Sequence, residues 1–204
     1  MFKLYGRQTS GNCYKPRLLL ALLGQPFQHI ETAAGELGTR SAAFQAKNPA
    51  GRVPLLELED GRVLAESNAI LCYLDAGSAF TPQDAFSRAR MLQWMFFEQN
   101  SHEPAVAARR ALLRNPRRMA EATPEKLEAL RSAGLAALAV MEDQLSRTAF
   151  LAAATPTLAD ISLFAYTHVA DEGEFDLGPF PCIRSWLSSI EALPGFQPMT
   201  WRPS

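Results

Sequence analysis

The sequence has few of the residues that staple or metallate a protein. Its three cysteines, Cys13, Cys72 and Cys182, lie far apart and form no CxxC pair. That excludes a disulfide framework or a zinc ribbon and fits a reducing cytosol. The three histidines, His29, His102 and His168, are equally scattered, so no metal site is expected. Basic charge is not in excess, since 20 Lys and Arg stand against 21 Asp and Glu. Without a basic surplus to neutralise phosphates, nucleic acid is not expected as a partner. Long apolar runs are missing too. The stretches 18–23 and 135–141 fall far below the ~18 residues that cross a bilayer. The opening residues read directly as structure, with no basic region leading into an apolar stretch. A cytoplasmic protein with no membrane partner is therefore expected.

What is present is a globular composition, with 48% hydrophobic and 20% charged residues. The length of 204 residues suits one large domain or two small ones. Residues 1–76 alternate between strand-like and helix-like pieces. Residues 2–5 are β-prone. Residues 13–23 carry Leu18, Leu19, Leu22 and Leu23 at helical spacing and stop at Gly24. A second strand is expected over 26–30 and a short helix over 39–46. Strands over 55–59 and 62–65 flank a two-residue Asp60-Gly61 turn, and a helix over 67–75 begins at Ser67 as its cap. The order is βαβαββα, an α/β domain. The βαβ unit implies a parallel pair, to which the hairpin adds antiparallel strands.

Strand signals stop after Gly77. Residues 77–84 read as a linker, and helical patterns follow over 85–113, 124–146, 158–170 and 183–192. Ten of the 14 prolines fall in this second half, nearly all at the ends of those patterns, which favours an all-helical domain over 85–204. Pro104 lies inside the first pattern and should kink or split it.

Four segments carry chemistry and occur in order. They are Ser10-Gly11-Asn12-Cys13, Asn48-Pro49-Ala50-Gly51-Arg52-Val53-Pro54-Leu55, Glu66-Ser67-Asn68-Ala69-Ile70, and Pro156-Thr157-Leu158-Ala159-Asp160. Each alone is a weak signal; all four at these spacings are a strong one. Together with the closing Trp186…Leu193-Pro194-Gly195-Phe196 segment, they make the whole chain resemble a cytosolic glutathione transferase of the bacterial, serine-type or theta-like sort. The resemblance implies a thioredoxin-like N-terminal domain that binds glutathione and an all-α C-terminal domain that helps bind a second substrate.

The resemblance also distributes roles. Val53-Pro54 matches the family's Val–cis-Pro step, which would offer the Val53 N–H and C=O to the cysteinyl part of glutathione in strand fashion. Without the surrounding motif, Pro54 reads simply as a strand start. Glu66 and Ser67 match the pair that holds the γ-glutamyl end at a helix N-terminus, where free N–H groups attract an anion. Ser10 matches the hydroxyl that bonds the glutathione sulfur, and Asn12 is a second candidate for that contact. A thiol of pKa ~8.5 is only a few per cent ionised at pH 7. Lowering it by ~2 units makes it mostly thiolate, at ~2.7 kcal/mol of differential stabilisation. The plainer reading has Ser10 and Asn12 only capping a helix. Arg52 or Arg40 matches the basic residue near the glycyl carboxylate, with Gln45 a weaker candidate.

Other residues read as structural. Tyr5 does not match the catalytic tyrosine of tyrosine-type members. Cys13 stands three positions after the one that cysteine-type members use, and is expected to be a buried helical residue. Thr157 and Asp160 form a capping-box pattern with Asp in place of Glu or Gln, a folding element. Trp94, Phe97, Asn100 and His102 are candidates for the second-substrate site by position only; at helical spacing they equally suit a core.

The function implied by the resemblance is conjugation of the glutathione thiolate to an electrophilic small molecule by a homodimer. Glutathione is then a co-substrate, with no metal and no resident cofactor. The rival readings are glutathione-dependent disulfide or peroxide reduction, and a non-catalytic interaction module of the same fold.

Overall fold

The computed structural model describes residues 1–75, 77 and 79–203. Ala76, expected to end the first domain, and Ser78 of the expected linker lie outside the described residues. The chain divides into two compact units, Met1–Ser78 with Leu193–Ser204, and Ala79–Ala192.

Unit 1 is built on four strands, β1 (Phe2–Gly6), β2 (Phe27–Glu31), β3 (Leu55–Glu57) and β4 (Val63–Ala65), in the order β2-β1-β3-β4. β1 pairs parallel with β2 and antiparallel with β3, as the βαβ and hairpin patterns require. Helices α1 (Gly11–Leu22), α2 (Ala42–Gln45) and α3 (Ser67–Leu74) complete the βαβαββα order of a thioredoxin-like domain. Alternation sorts the strand residues between the two faces of the sheet. Leu4 and Leu56 meet in register, and with Leu20 of α1, Phe27 and Ile70 of α3 they form the core. Each such burial stabilises by roughly 1.5–3 kcal/mol. Lys3, Tyr5 and Glu57 take the other face, where Glu57 accepts from Tyr5 Oη, Lys3 and Lys47.

Two local expectations for this unit are corrected. The hairpin turn has three residues, not two. The Leu58 N–H reaches the Arg62 carbonyl at 2.8 Å, and Gly61 takes φ +83° to close the loop. The C-terminal segment also belongs here. Residues 193–203 group with unit 1, although the helical domain was expected to run to 204.

Unit 2 contains no strand among its described residues. Its helices are α4 (Ala85–Phe97), α5 (Glu103–Arg114), α6 (Pro124–Leu145), α7 (Leu158–Thr167) and α8 (Pro181–Glu191). Short 3₁₀ turns at Pro116–Glu121 and Ala170–Gly173 lie between them. The helical pattern over 85–113 is split, as Pro104 led one to expect, and the break comes before the proline. Residues Glu98–His102 form a π turn, after which Pro104 sits in the first turn of α5. There its missing N–H costs nothing, while inside an α-helix its ring would clash with the carbonyl four residues back. Asp160 anchors the start of α7. It accepts from the Thr157 N–H and hydroxyl, the Leu151 N–H and Trp186 Nε1, all within 2.9 Å. The capping pattern is thus a buried folding element, as expected. Arg109 plays a similar bracing part, donating to the Gly173 and Leu127 carbonyls and pairing with Glu174.

Candidate functional site

The candidate residues of unit 1 come from three connections. The loop after β1 delivers Ser10, whose extended backbone and side chain cap α1. Its Oγ accepts the Cys13 N–H at 3.4 Å. Capping uses only a lone pair of the hydroxyl, and the Ser10 side chain also hydrogen-bonds the Cys13 thiol. Asn12 follows within the first turn of α1.

The second connection leads into β3. The Val53-Pro54 peptide is cis, as the motif predicts. Asn48, buried at the start of this loop, braces it. Its Nδ2 donates to the Arg52 carbonyl at 2.8 Å, and its Oδ1 accepts the Ala50 N–H at 3.2 Å. Val53 is half-buried, and its N–H and C=O find no backbone partner among the described residues. The Arg52 side chain is exposed and forms no ion pair among the described residues, as is also true of Arg40. Gln45 is exposed on α2.

The third connection joins β4 to α3. Here the expectation for Ser67 is corrected: it is the first helical residue, and Glu66 is the cap. Glu66 takes φ 69° and ψ 115°, a conformation that costs a non-glycine residue about 1–3 kcal/mol. That turn aims the Ser67 hydroxyl away from the helix amides and toward α1. Ser67 Oγ donates to Asn12 Oδ1 at 3.4 Å and accepts from Lys15 Nζ at 3.4 Å. Ser67 is 6% exposed and Lys15 is fully buried. The structure therefore brings Asn12, Ser67 and Lys15 together at the N-terminal turns of α1 and α3. Lys15 was missed by sequence reasoning, because a lysine on a helix ordinarily reads as a solvated residue. The available signal was its place in the turn before the apolar stretch 18–23, on the same helical pattern.

Cys13 is fully buried, and burial pushes its thiol up, against smaller downward pulls from Ser10 and the Arg7 backbone. It is a core residue, as expected. In unit 2, two second-substrate candidates are core as well. Trp94 is buried, and so is His102, whose Nε2 lies 3.0 Å from Thr167 Oγ1. That hydroxyl donates to the Leu163 carbonyl, so the histidine nitrogen is the donor to it. Phe97 and Asn100 instead line a cleft of about 440 Å³ with Leu130, Ala133 and Val140. No group of three or more metal-ligating side chains occurs among the described residues. Nor is any helix there long and apolar enough to cross a membrane.

A thioredoxin-like sheet with a cis-proline loop, followed in sequence by an all-helical unit, defines the class to which this fold belongs. The comparisons agree with it. Residues 9–76 match the family model "Glutathione S-transferase, N-terminal domain", and residues 124–189 match "Glutathione S-transferase, C-terminal domain". The crystal structure of a glutathione S-transferase from Pseudomonas fluorescens is 47% identical, with a TM-score of 0.93 over 97% of this chain and 98% of that one. A possible glutathione S-transferase from Rhodopseudomonas palustris is 46% identical, with a TM-score of 0.94 over 99% of each chain. Among curated proteins, the glutathione S-transferase-like protein LUC7 of a Fusarium species is 29% identical over 93% of this chain and 88% of its own length. The chain belongs to the glutathione S-transferase family.

Proposed function

We propose that the chain is a glutathione transferase that holds glutathione in unit 1 as the thiolate and directs its sulfur at an electrophilic carbon of a small molecule. The observation that carries this reading is the meeting of Asn12, Lys15 and Ser67 near two helix N-termini, a corner whose amide, ammonium and hydroxyl groups suit a carboxylate. In this reading Glu66 faces the γ-glutamyl ammonium and Ser67 the γ-glutamyl carboxylate. The Val53 backbone pairs with the cysteinyl residue beside Pro54, and Arg52 attracts the glycyl carboxylate. Ser10 turns its hydroxyl proton to the sulfur, and Asn12 is the alternative donor.

The chemistry then needs little more than a populated thiolate and a held partner. The sulfur lone pair forms a C–S bond while the leaving group departs with its electrons, or while an activated double bond takes up a proton from water. The buried Cys13, with its thiol pushed up, is a poor nucleophile, which supports assigning the sulfur chemistry to glutathione. We extend the reading to a twofold homodimer in the cytoplasm. Light scattering should then give about twice 22.4 kDa, and a stable monomer at micromolar concentration contradicts it.

The test of the activity is retention on immobilised glutathione followed by parallel assays with an aryl halide, a glutathione mixed disulfide and a hydroperoxide. Turnover of the aryl halide is expected. Turnover of the disulfide or hydroperoxide alone would move the reading to reduction. Retention without any turnover would move it to a non-catalytic module.

A further inference from the structure

The closing segment is bound to unit 1 through the residues that frame the Ser10 loop. Gln8, two positions before Ser10, donates from Nε2 to the Met199 carbonyl at 2.6 Å and to the Trp201 carbonyl at 2.9 Å. Arg17 of α1, fully buried, donates from Nη2 to the same Met199 carbonyl at 2.7 Å and to the Gln8 carbonyl at 3.1 Å. Its Nη1 reaches Gln8 Oε1 at 3.2 Å. The Gln8 N–H in turn reaches Glu31 Oε1 at 3.2 Å. Tyr14 Oη, on the same helix, donates to the Gln197 carbonyl at 2.7 Å. The segment is seated apolarly as well. Trp201 packs edge-on against Phe27 with ring centroids 6.1 Å apart. Gly195 runs so close to the end of α1 that a Cβ there would sit 2.9 Å from the Ala21 carbonyl oxygen.

Gln8 is thus fixed through its N–H, its C=O and both ends of its side chain. Two of those bonds go to the closing segment, and two go to an arginine that the segment also satisfies. Arg17 Nε already lacks an acceptor among the described residues. Losing the Met199 carbonyl would leave a buried guanidinium still poorer in partners, and the part of the arrangement outside any helix or strand is the four-residue loop between β1 and α1 that carries Ser10. A buried network is worth most when every member is satisfied, and a partly satisfied one is expected to rearrange.

We propose that residues 197–201 act as a strap that positions the sulfur-facing loop, with Gln8 and Arg17 as positioning residues for Ser10. The proposal rests on the reading of Ser10 as the donor to the glutathione sulfur. The strap bonds described above come from Gln8, Tyr14 and Arg17, none of them a member of the Ser67 corner, so loosening them should impair thiolate stabilisation without weakening capture of glutathione.

The test compares the full-length parent with Gln8→Ala, Gln8→Glu and Ser10→Ala. The readouts are kcat and KM for glutathione with an aryl halide, and ultraviolet titration of the bound thiolate. Gln8→Glu keeps the acceptor for Arg17 but turns a carboxylate toward the strap carbonyls, so it isolates the strap bonds. Both Gln8 variants should lower kcat about 10- to 100-fold, the loss expected of a reacting group held about 1 Å out of place. They should raise the pKa of the bound thiol and leave KM for glutathione within about twofold, since the Ser67 corner that captures it is not substituted. If Gln8→Ala does not fold, Trp201→Ala, which unseats the strap at its far end, should give the same kcat loss. A normal thiolate titration in the Gln8 variants beside a raised pKa in Ser10→Ala overturns the strap's role and leaves the Ser10 reading standing. A normal titration in Ser10→Ala overturns both.

Discussion

Trp186 Nε1 donates to Asp160 Oδ1 at 2.9 Å in the interior of the helical unit, where Asp160 is fully buried. That indole is one of four donors on a single carboxyl group, and the group ties the loop at Leu151, the start of α7 and helix α8 into one knot. Burial pushes the Asp160 carboxyl up, and the four donors pull it back.

Removing the hub should cost far more than removing one spoke. Asp160→Ala leaves two backbone N–H groups, a hydroxyl and an indole N–H without their acceptor, and should destabilise by about 3–5 kcal/mol. For a chain of this size that lowers Tm by roughly 10 °C. Trp186→Phe removes one donor and should cost about 1–3 kcal/mol, including lost packing. Calorimetry on both variants checks the ratio. An Asp160→Ala protein as stable as the parent would show that the knot is dispensable.

Ser67 separates binding from chemistry. It does not cap α3, so the stability cost of Ser67→Ala should come from its bonds to Asn12 and the buried Lys15, about 1–3 kcal/mol. A hydrogen bond to a charged ligand contributes ~1.5–3 kcal/mol, so the same change should weaken glutathione binding about 10- to 100-fold, mainly in KM. Ser67→Asp places a carboxylate in the first turn of α3 beside Lys15, where the helix dipole favours it. The fold should survive while the ligand's carboxylate is repelled. Titration calorimetry showing parental affinity in Ser67→Asp would mean that this corner is not the anion site.

Glu57 gives the expected acid response of unit 1. Lys47 first, then Tyr5 and Lys3, hold its carboxyl at about 2, against an ordinary 4.5. A depressed carboxylate contributes stability above its unfolded pKa and loses it as pH falls through the folded one. The window is therefore pH 4.5 down to about 2. Lys3 and Lys47 remain partly exposed, so the contribution at pH 7 is kept to roughly 1 kcal/mol. Glu57→Gln should flatten the acid limb of the stability profile in that window. Denaturant titrations at pH 3 and pH 7 that show the parental slope would contradict it.

The fold was legible because its signals are local. The Asp60-Gly61 pair, the leucine spacing of residues 18–23 and the boundary prolines each act within a few residues. The cis step at Val53-Pro54 was legible through its motif. What escaped the sequence depends on distant partners or on backbone acceptors. Carbonyls carry no residue-type signature, so the strap bonds from Gln8, Tyr14 and Arg17 to residues 197–201 left no pattern to read. Ser67 looked like a cap because the residue type fits one, and only the positive φ of Glu66 moves the cap back by a residue. The π turn before Pro104 was announced by the proline, but its position was set by where the helix could widen to let the ring into the next first turn. Lys15 was hidden because burial of a cation is decided by what faces it.

The central claim is that Ser10 holds glutathione as its thiolate. Ultraviolet titration of glutathione bound to the parent and to Ser10→Ala tests it most directly. The account predicts a bound thiol about 2 units below its free pKa of ~8.5 in the parent, a return of most of that shift in Ser10→Ala, and nearly equal affinity for both. A bound thiol that titrates alike in the two proteins would contradict it and pass the role to Asn12.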